Sequence, residues 1–459
     1  MTYAGAVLFW LALLVVTGIG VAWSTRGKGR GNLHGDVGWR RALAAAAAAL
    51  AVGVAVSAVS GIGGSARRHR PAAVTSLPPA KALPPLSPSA PGLSAPPTSR
   101  TAPARAPVGP AALPFPSVER FGTGVQGIFL NYSKYTPPQI RSQLRALRLT
   151  GSTIARSDAL WEAAEPNPPV DGKHDYNWQF DDLTVGTLAA SGLRWLPIVD
   201  YSPPWAASAP GQAHSPPRAA ADADFASFAA ALAERYGPGG AFWRGRPGLA
   251  AEPVDTYEIW NEPDNALFWG PAPDAGRYVE LYLRARAAVK AVDPGARVIV
   301  GGLTAPNSFL PAMLAARPDL RGHVDGVAIH PWGPNPVAVR RNLRTARAKM
   351  RLLGMGSVPI YVTAFGWTTS PPGAFSYLPA HLRPGFIADT MGALGHTDCG
   401  IAAVILDTWV TPERNRLDGD DWFGIERPSG GLSPDAAAFA AGLHTAEQHR
   451  PQLRLCRPS

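Results

Sequence analysis

The chain has 459 residues and a formal net charge of +10, a length that allows an anchor with one large domain or two medium ones. Residues 1–118 hold eleven Lys or Arg and one acid, Asp36, so the excess charge sits there and residues 119–459 are close to neutral. A nucleic-acid partner is excluded on that ground, because the folded part lacks a basic face, and no nucleotide loop, metal cluster or cofactor motif stands in the sequence.

Residues 4–23 form an uncharged apolar run of about the length that crosses a bilayer as a helix. Residues 42–60 form a second, less hydrophobic one. Arg26, Lys28, Arg30, Arg40 and Arg41 lie between them, and the positive-inside rule makes that short loop cytoplasmic and turns both ends of the hairpin outward. A cleaved signal peptide competes for the first run, but the start Met1-Thr2-Tyr3-Ala4-Gly5 lacks the positive region such peptides carry. Arg67, Arg68 and Arg70 reduce the asymmetry on which the orientation rests. Residues 71–118 are dominated by Pro, Ala and Ser and read as a semi-extended spacer, a wall-spanning segment or a glycosylated one. The expected organisation is a transmembrane hairpin at 1–70, a linker at 71–118 and a folded domain at 119–459 outside the cell membrane.

Within that domain strand-like runs alternate with helical patterns, the signature of a parallel sheet with crossover helices. Strands are expected at 125–131, 152–158, 193–200, 256–260, 297–301, 324–330, 359–363 and 401–407. Thr136 is the expected N-cap of a helix over 137–149, and Asp222 that of a helix ended by Gly237. A further helix is expected over 181–191, and a long one carries Tyr278, Leu281, Tyr282, Ala285 and Val289 on one face. Eight strand–helix units fit a (β/α)8 barrel. A doubly wound open sheet is the alternative, but the first strand is followed by no Gly-rich phosphate loop.

The alternating run Thr256, Tyr257, Ile259, Trp260 stops at Asn261-Glu262-Pro263, which puts a carboxylate at the C-terminal end of a strand, where parallel barrels do their chemistry. Glu262 is the leading catalytic candidate. Trp260-Asn261-Glu262-Pro263, Ile329-His330-Pro331-Trp332 and Val362-Thr363-Ala364-Phe365-Gly366-Trp367 together resemble successive strand-end motifs of the clan A glycoside hydrolases, in the branch of β-xylosidases and α-iduronidases. The resemblance implies a (β/α)8 barrel acting on O-glycosidic bonds of a carbohydrate, with Glu262 as general acid/base and a nucleophilic glutamate after Thr363. Here that position is Ala364. It further implies that Arg156 supports the nucleophile, that Asn261 binds a sugar 2-hydroxyl, and that His330 and Trp332 line the site.

Retaining enzymes of this kind need two carboxyls about 5–5.5 Å apart, and a methyl group can neither attack nor stabilise an oxocarbenium ion. A buried Arg156 then needs another acid. Asp407, at the end of the eighth expected strand, is the leading substitute: a partner for Arg156, a displaced nucleophile, or the base of an inverting reaction. Asp200 is a weaker one. Trp205, Trp269, Trp367 and Trp409 lie near strand ends, as sugar-stacking faces or as core. Two readings stay open, a hydrolase with a rerouted mechanism and an inactive relative that binds polysaccharide. Cys399 and Cys456 either pair in an oxidising compartment, tying the C-terminal tail to the domain, or remain core thiols.

Overall fold

Short apolar runs that alternate with amphipathic ones have a natural solution in a ring of parallel strands covered by helices. The computed structural model describes residues 120–129, 135–447 and 453–457, and there the ring closes. In order, β1 (Arg120–Gly124), α1 (Pro137–Leu149), β2 (Ile154–Leu160), α2 (Gln179–Ala189), β3 (Arg194–Asp200), α3 (Asp222–Tyr236), β4 (Thr256–Ile259) and α4 (Ala275–Val292) make the first half. The second half is β5 (Arg297–Leu303), α5 (Pro306–Ala316), β6 (Val327–Ile329), α6 (Pro336–Leu352), β7 (Ile360–Val362), α7 (Arg383–Leu394), β8 (Ile401–Leu406) and α8 (Pro434–Glu447). Each strand pairs in parallel with the next, and β8 returns to β1 with Phe121 opposite Val404. The open doubly wound sheet is thereby set aside.

The helix limits follow local chemistry. Thr136 stands at the N-cap of α1, its N–H donating to Gln139, and two prolines open the helix where missing N–H groups cost nothing. Two expectations are corrected. Asp222 is the first residue of α3 and not its cap, and its carboxylate takes a two-pronged ion pair from Arg277 on α4. The first strand lies earlier than 125–131: Gln126–Phe129 is a single helical turn, and the strand is Arg-Phe-Gly-Thr-Gly. A Cβ on Gly122 would stand 1.8 Å from the Ile154 carbonyl oxygen of β2, so this strand is built from residues that strand propensity disfavours.

Alternation along the strands separates two cores. Trp195, Val199, Tyr257, Ile259, Val298 and Val300 point outward into the layer between sheet and helices. Ile154, Leu196 and Ile405 meet inside the barrel, as do Ile299, Ala328, Tyr361 and Ala403. Counting by twos from Ile154 and Leu196 places Arg156, Asp158 and Asp200 on the barrel axis, nearer the C-terminal mouth, and Glu258, between the outward Tyr257 and Ile259, joins them. The C-terminal tail is bound back to the start of β8. Cys399 and Cys456 are disulfide-bonded, and Asp398 accepts the backbone N–H groups of Leu455, Cys456 and Arg457 at 2.8, 2.6 and 3.1 Å.

Among the described residues no helix is long and apolar enough to cross a membrane. The hairpin expected at 1–70 and the linker at 71–118 lie outside the described residues.

Candidate active site

The mouth is organised by the turn that follows β4. Trp260 and Glu262 both have positive φ, 69° and 43°, and Tyr201 after β3 has 52°. Non-glycine residues hold this conformation only where the surroundings enforce it, and such strain gathers at functional sites. Here the enforcement is visible. The Trp260 ring is buried against Trp269, Tyr201 and Phe225, and its indole N–H donates to the Phe268 carbonyl at 2.6 Å. Tyr278 of α4 donates to the Ile259 carbonyl and accepts from Gly301 N–H, clamping the ends of β4 and β5 together.

Glu262 is thereby aimed into a set of donors. Its Oε1 lies 2.7 Å from His330 Nδ1 and 3.3 Å from Trp332 Nε1, and its Oε2 accepts from Asn265 Nδ2 at 2.8 Å. Burial raises the carboxyl, but the hydrogen bond and charge of His330 and the bonds from Asn265 and Trp332 outweigh it and hold Glu262 below the usual glutamate range. It is an anion in the free protein.

A second network lies beneath. Arg156 of β2 donates from Nε and Nη2 to the two oxygens of Glu258 on β4 at 2.8 and 2.9 Å, and from Nη2 to Asn261 Oδ1 at 3.0 Å. Glu258 also accepts Gly302 N–H at 2.9 Å and the Thr363 hydroxyl at 3.2 Å. His330 Nε2 lies 3.1 Å from that hydroxyl, which joins the two networks.

Asp407, just past β8, belongs to the same chamber. Gln126 Nε2 donates to its Oδ1 at 3.0 Å, and Arg156 and His330 act on it by charge. Desolvation dominates over those favourable charges and pushes its carboxyl up to about 6. Ala364 is buried after β7. The mouth thus holds two carboxyls displaced in opposite directions, Glu262 down and Asp407 up, the pattern that separates a base from an acid.

No protein-family model and no curated protein matches the chain. Solved structures do. A family 39 glycoside hydrolase from the gut symbiont Bacteroides cellulosilyticus WH2 superposes with a TM-score of 0.53 at 19% identity, over 72% of this chain and 64% of that one. A family 39 β-xylosidase from Caulobacter crescentus gives 0.53 at 21% identity over 71% of each chain. A family 5 enzyme from Bifidobacterium longum subsp. longum, in complex with Manβ1-4GlcNAc, gives 0.53 at 12% identity over 73% of this chain and 80% of that one. The likeness to these glycoside hydrolases is one of fold, the closed parallel (β/α)8 barrel.

In this barrel Glu262, Asn261, Arg156, His330, Trp332 and Asp407 come together around the mouth. The other tryptophans do not join them. Trp367 and Trp409 are fully buried, their indoles donating to the Gly333 carbonyl and to Gln143 Oε1, so neither has a free ring face for a sugar. Trp269 is buried against Trp260 and Tyr278. Trp205 is half-buried, edge-on to Trp161 and bonded to the Glu165 carbonyl. Trp332 is the tryptophan with both an exposed part and a bond to Glu262. Because Trp409 turns away, its direction says nothing of Asp407, whose place rests on its own contacts. Asp200 sits at the end of β3 with its carboxyl well above the ordinary range, burial being the main cause and Asp158 the next. Glu258, the acid that answers Arg156, is absent from the sequence-based candidates. Its signal was a charged residue in the middle of the apolar run 256–260, two positions from the end.

Proposed function

We propose that the barrel is an extracytoplasmic glycoside hydrolase, held at the cell membrane by the hairpin expected from the sequence at 1–70 and acting on O-glycosidic bonds of a cell-surface or extracellular polysaccharide. The observation that carries this reading is the opposite displacement of Glu262 and Asp407 at one mouth. It reverses the roles that the resemblance implies: Asp407 holds the proton that goes to the leaving oxygen, and the Glu262 anion removes one from water. In a single displacement the water oxygen bonds to the anomeric carbon as the glycosidic C–O bond breaks, and the alcohol departs with the proton of Asp407. The site proton then rests on Glu262. Such a reaction inverts the anomeric centre and leaves Ala364 no part to play. The disulfide at Cys399 and Cys456 supports the extracytoplasmic placement, since such bonds persist in oxidising compartments.

The second reading is polysaccharide binding without cleavage, favoured by the methyl group at Ala364 where related enzymes are expected to keep their nucleophile. Hydrolysis of aryl glycosides and bacterial polysaccharides by the full chain separates the two. Turnover that falls at least about 100-fold in both Glu262→Gln and Asp407→Asn supports the rerouted reaction. Turnover that appears only in Ala364→Glu places the chain with the binding proteins.

A further inference from the structure

The chamber holds more carboxyls than its chemistry uses. Glu258 is matched by Arg156, and Glu262 by His330. Asp158, Asp200 and Asp407 have no cation of their own in contact among the described residues. The groups that act on the Asp158 and Asp200 pair are Arg156, Glu258 and the exposed Glu162, with His214 facing Asp158 and the Tyr201 hydroxyl facing both. The guanidinium is already bound to Glu258, and His214 spends Nδ1 on the Leu267 carbonyl while stacking on Tyr201. Asp200 is fully buried, its two carboxylate oxygens both without a hydrogen-bond partner among the described residues. It points to the barrel axis, since Leu196 on the same face of β3 packs against Ile154 and Ile405 inside. A buried carboxyl with two empty acceptors is costly in isolation, and a cationic donor in front of it removes that cost.

A metal ion requires carboxylate oxygens that converge. Among the described residues no three of these acids bring oxygens within 4.8 Å of one another, so the carboxyls are spread along the mouth. Spread acceptors suit a sugar that carries one charge and several hydroxyls. Resting on the carbohydrate reading above, we infer that the site selects a glycan with free amino groups, a de-N-acetylated hexosamine polymer, whose ammonium seats at Asp158 with Asp200 behind it. The same site opposes uronic acids, because a sugar carboxylate would enter beside the Glu262 anion and the carboxyls of Asp158 and Asp407 with Arg156 already engaged.

Calorimetric titration of the full chain at pH 6 with four hexasaccharides tests this: oligoglucosamine, its N-acetylated form, cellohexaose and oligogalacturonate. The expected result is that oligoglucosamine binds about 10- to 100-fold more tightly than the acetylated and neutral sugars, the worth of one charge-assisted hydrogen bond, with the uronate weakest. Asp158→Asn and Asp200→Asn, isosteric and checked by melting temperature, remove that preference, so that oligoglucosamine and cellohexaose bind each variant with equal affinity. Equal affinity for cellohexaose and oligoglucosamine overturns the amine preference while leaving the carbohydrate reading standing, as does tightest binding of the uronate. Binding of none of the four overturns both. Calcium that binds and is lost in Asp200→Asn also overturns it, in favour of a metal site.

Discussion

Arg156 on β2 grips Glu258 on β4 with two hydrogen bonds, 2.8 and 2.9 Å long, in a chamber where both side chains are almost fully buried. The pair spans the barrel interior and also sets Asn261, the residue before Glu262, through the 3.0 Å bond from Arg156 Nη2. Removing Glu258 strands a buried guanidinium, so Glu258→Gln is expected to cost about 3–5 kcal/mol in denaturant unfolding. Replacing both partners by methionine leaves no orphan charge and should cost far less than the single change. A double change as damaging as the single one would show that packing, and not charge pairing, is what Glu258 supplies.

The pH dependence of stability has a definite sign at Asp407. Its folded-state carboxyl lies at about 6, above the ordinary aspartate value, so between those values the native state binds more protons than the unfolded chain. Stability contributed by this group is full at the acid end and falls as pH rises through 6. Asp407→Asn is therefore expected to be more stable than the parent by about 3 kcal/mol at pH 8, with the difference vanishing toward pH 4. Melting curves of the two proteins across that range measure it, and a difference independent of pH would remove the basis for treating Asp407 as the acid.

Reduction should loosen the C-terminal tail and nothing else. The disulfide closes a separation of 57 residues, and Asp398 holds the tail by three backbone N–H groups. Cys399→Ser with Cys456→Ser is expected to lose about 2–4 kcal/mol of stability. The mouth is built at the other ends of the strands, so affinity for any bound glycan should stay at its parent value. Limited proteolysis under reducing conditions should trim the tail first.

The strand–helix alternation was legible because eight apolar runs of the right length leave little choice of fold, and the place of Glu262 in the turn after β4 was legible because the alternating run stops just before it. What escaped notice did so for physical reasons. β1 hides because a side chain at Gly122 would strike the Ile154 carbonyl of β2 and one at Gly124 would meet Gln126 and Thr408, leaving no hydrophobic alternation to read. Glu258 hides because its neighbours Tyr257 and Ile259 announce a buried strand, and burial of an acid is explained only by Arg156, about a hundred residues earlier. The tryptophans misled because position near a strand end does not fix which way a ring turns: Trp332 reaches Glu262, while Trp409 turns to Gln143 on α1.

Gly302 on β5 gives the most local test of how Glu262 is kept ionised. A Cβ there would stand 2.0 Å from His330 Nε2 and 2.4 Å from Cε1, and the backbone N–H of Gly302 is committed to Glu258. The imidazole therefore lies flat against a backbone that only glycine allows. Gly302→Ala must displace the ring, at an overpacking cost of about 1–3 kcal/mol. It breaks the 2.7 Å contact with Glu262, leaving Asn265 and Trp332 as donors, so burial regains its hold and the carboxyl should rise. Carbon-detected titration of the glutamate carboxyls is expected to show one group moving upward in Gly302→Ala and again in His330→Ala. The contribution of the Glu262 anion is present above the ordinary glutamate value and lost as pH falls through its depressed folded value. Both variants should accordingly lose more stability at neutral pH than at acid pH, where Glu262 is protonated in the parent and only the pH-independent packing cost remains. A carboxyl that stays low in both would mean that Asn265 and Trp332 suffice, and that His330 serves the substrate and not the glutamate.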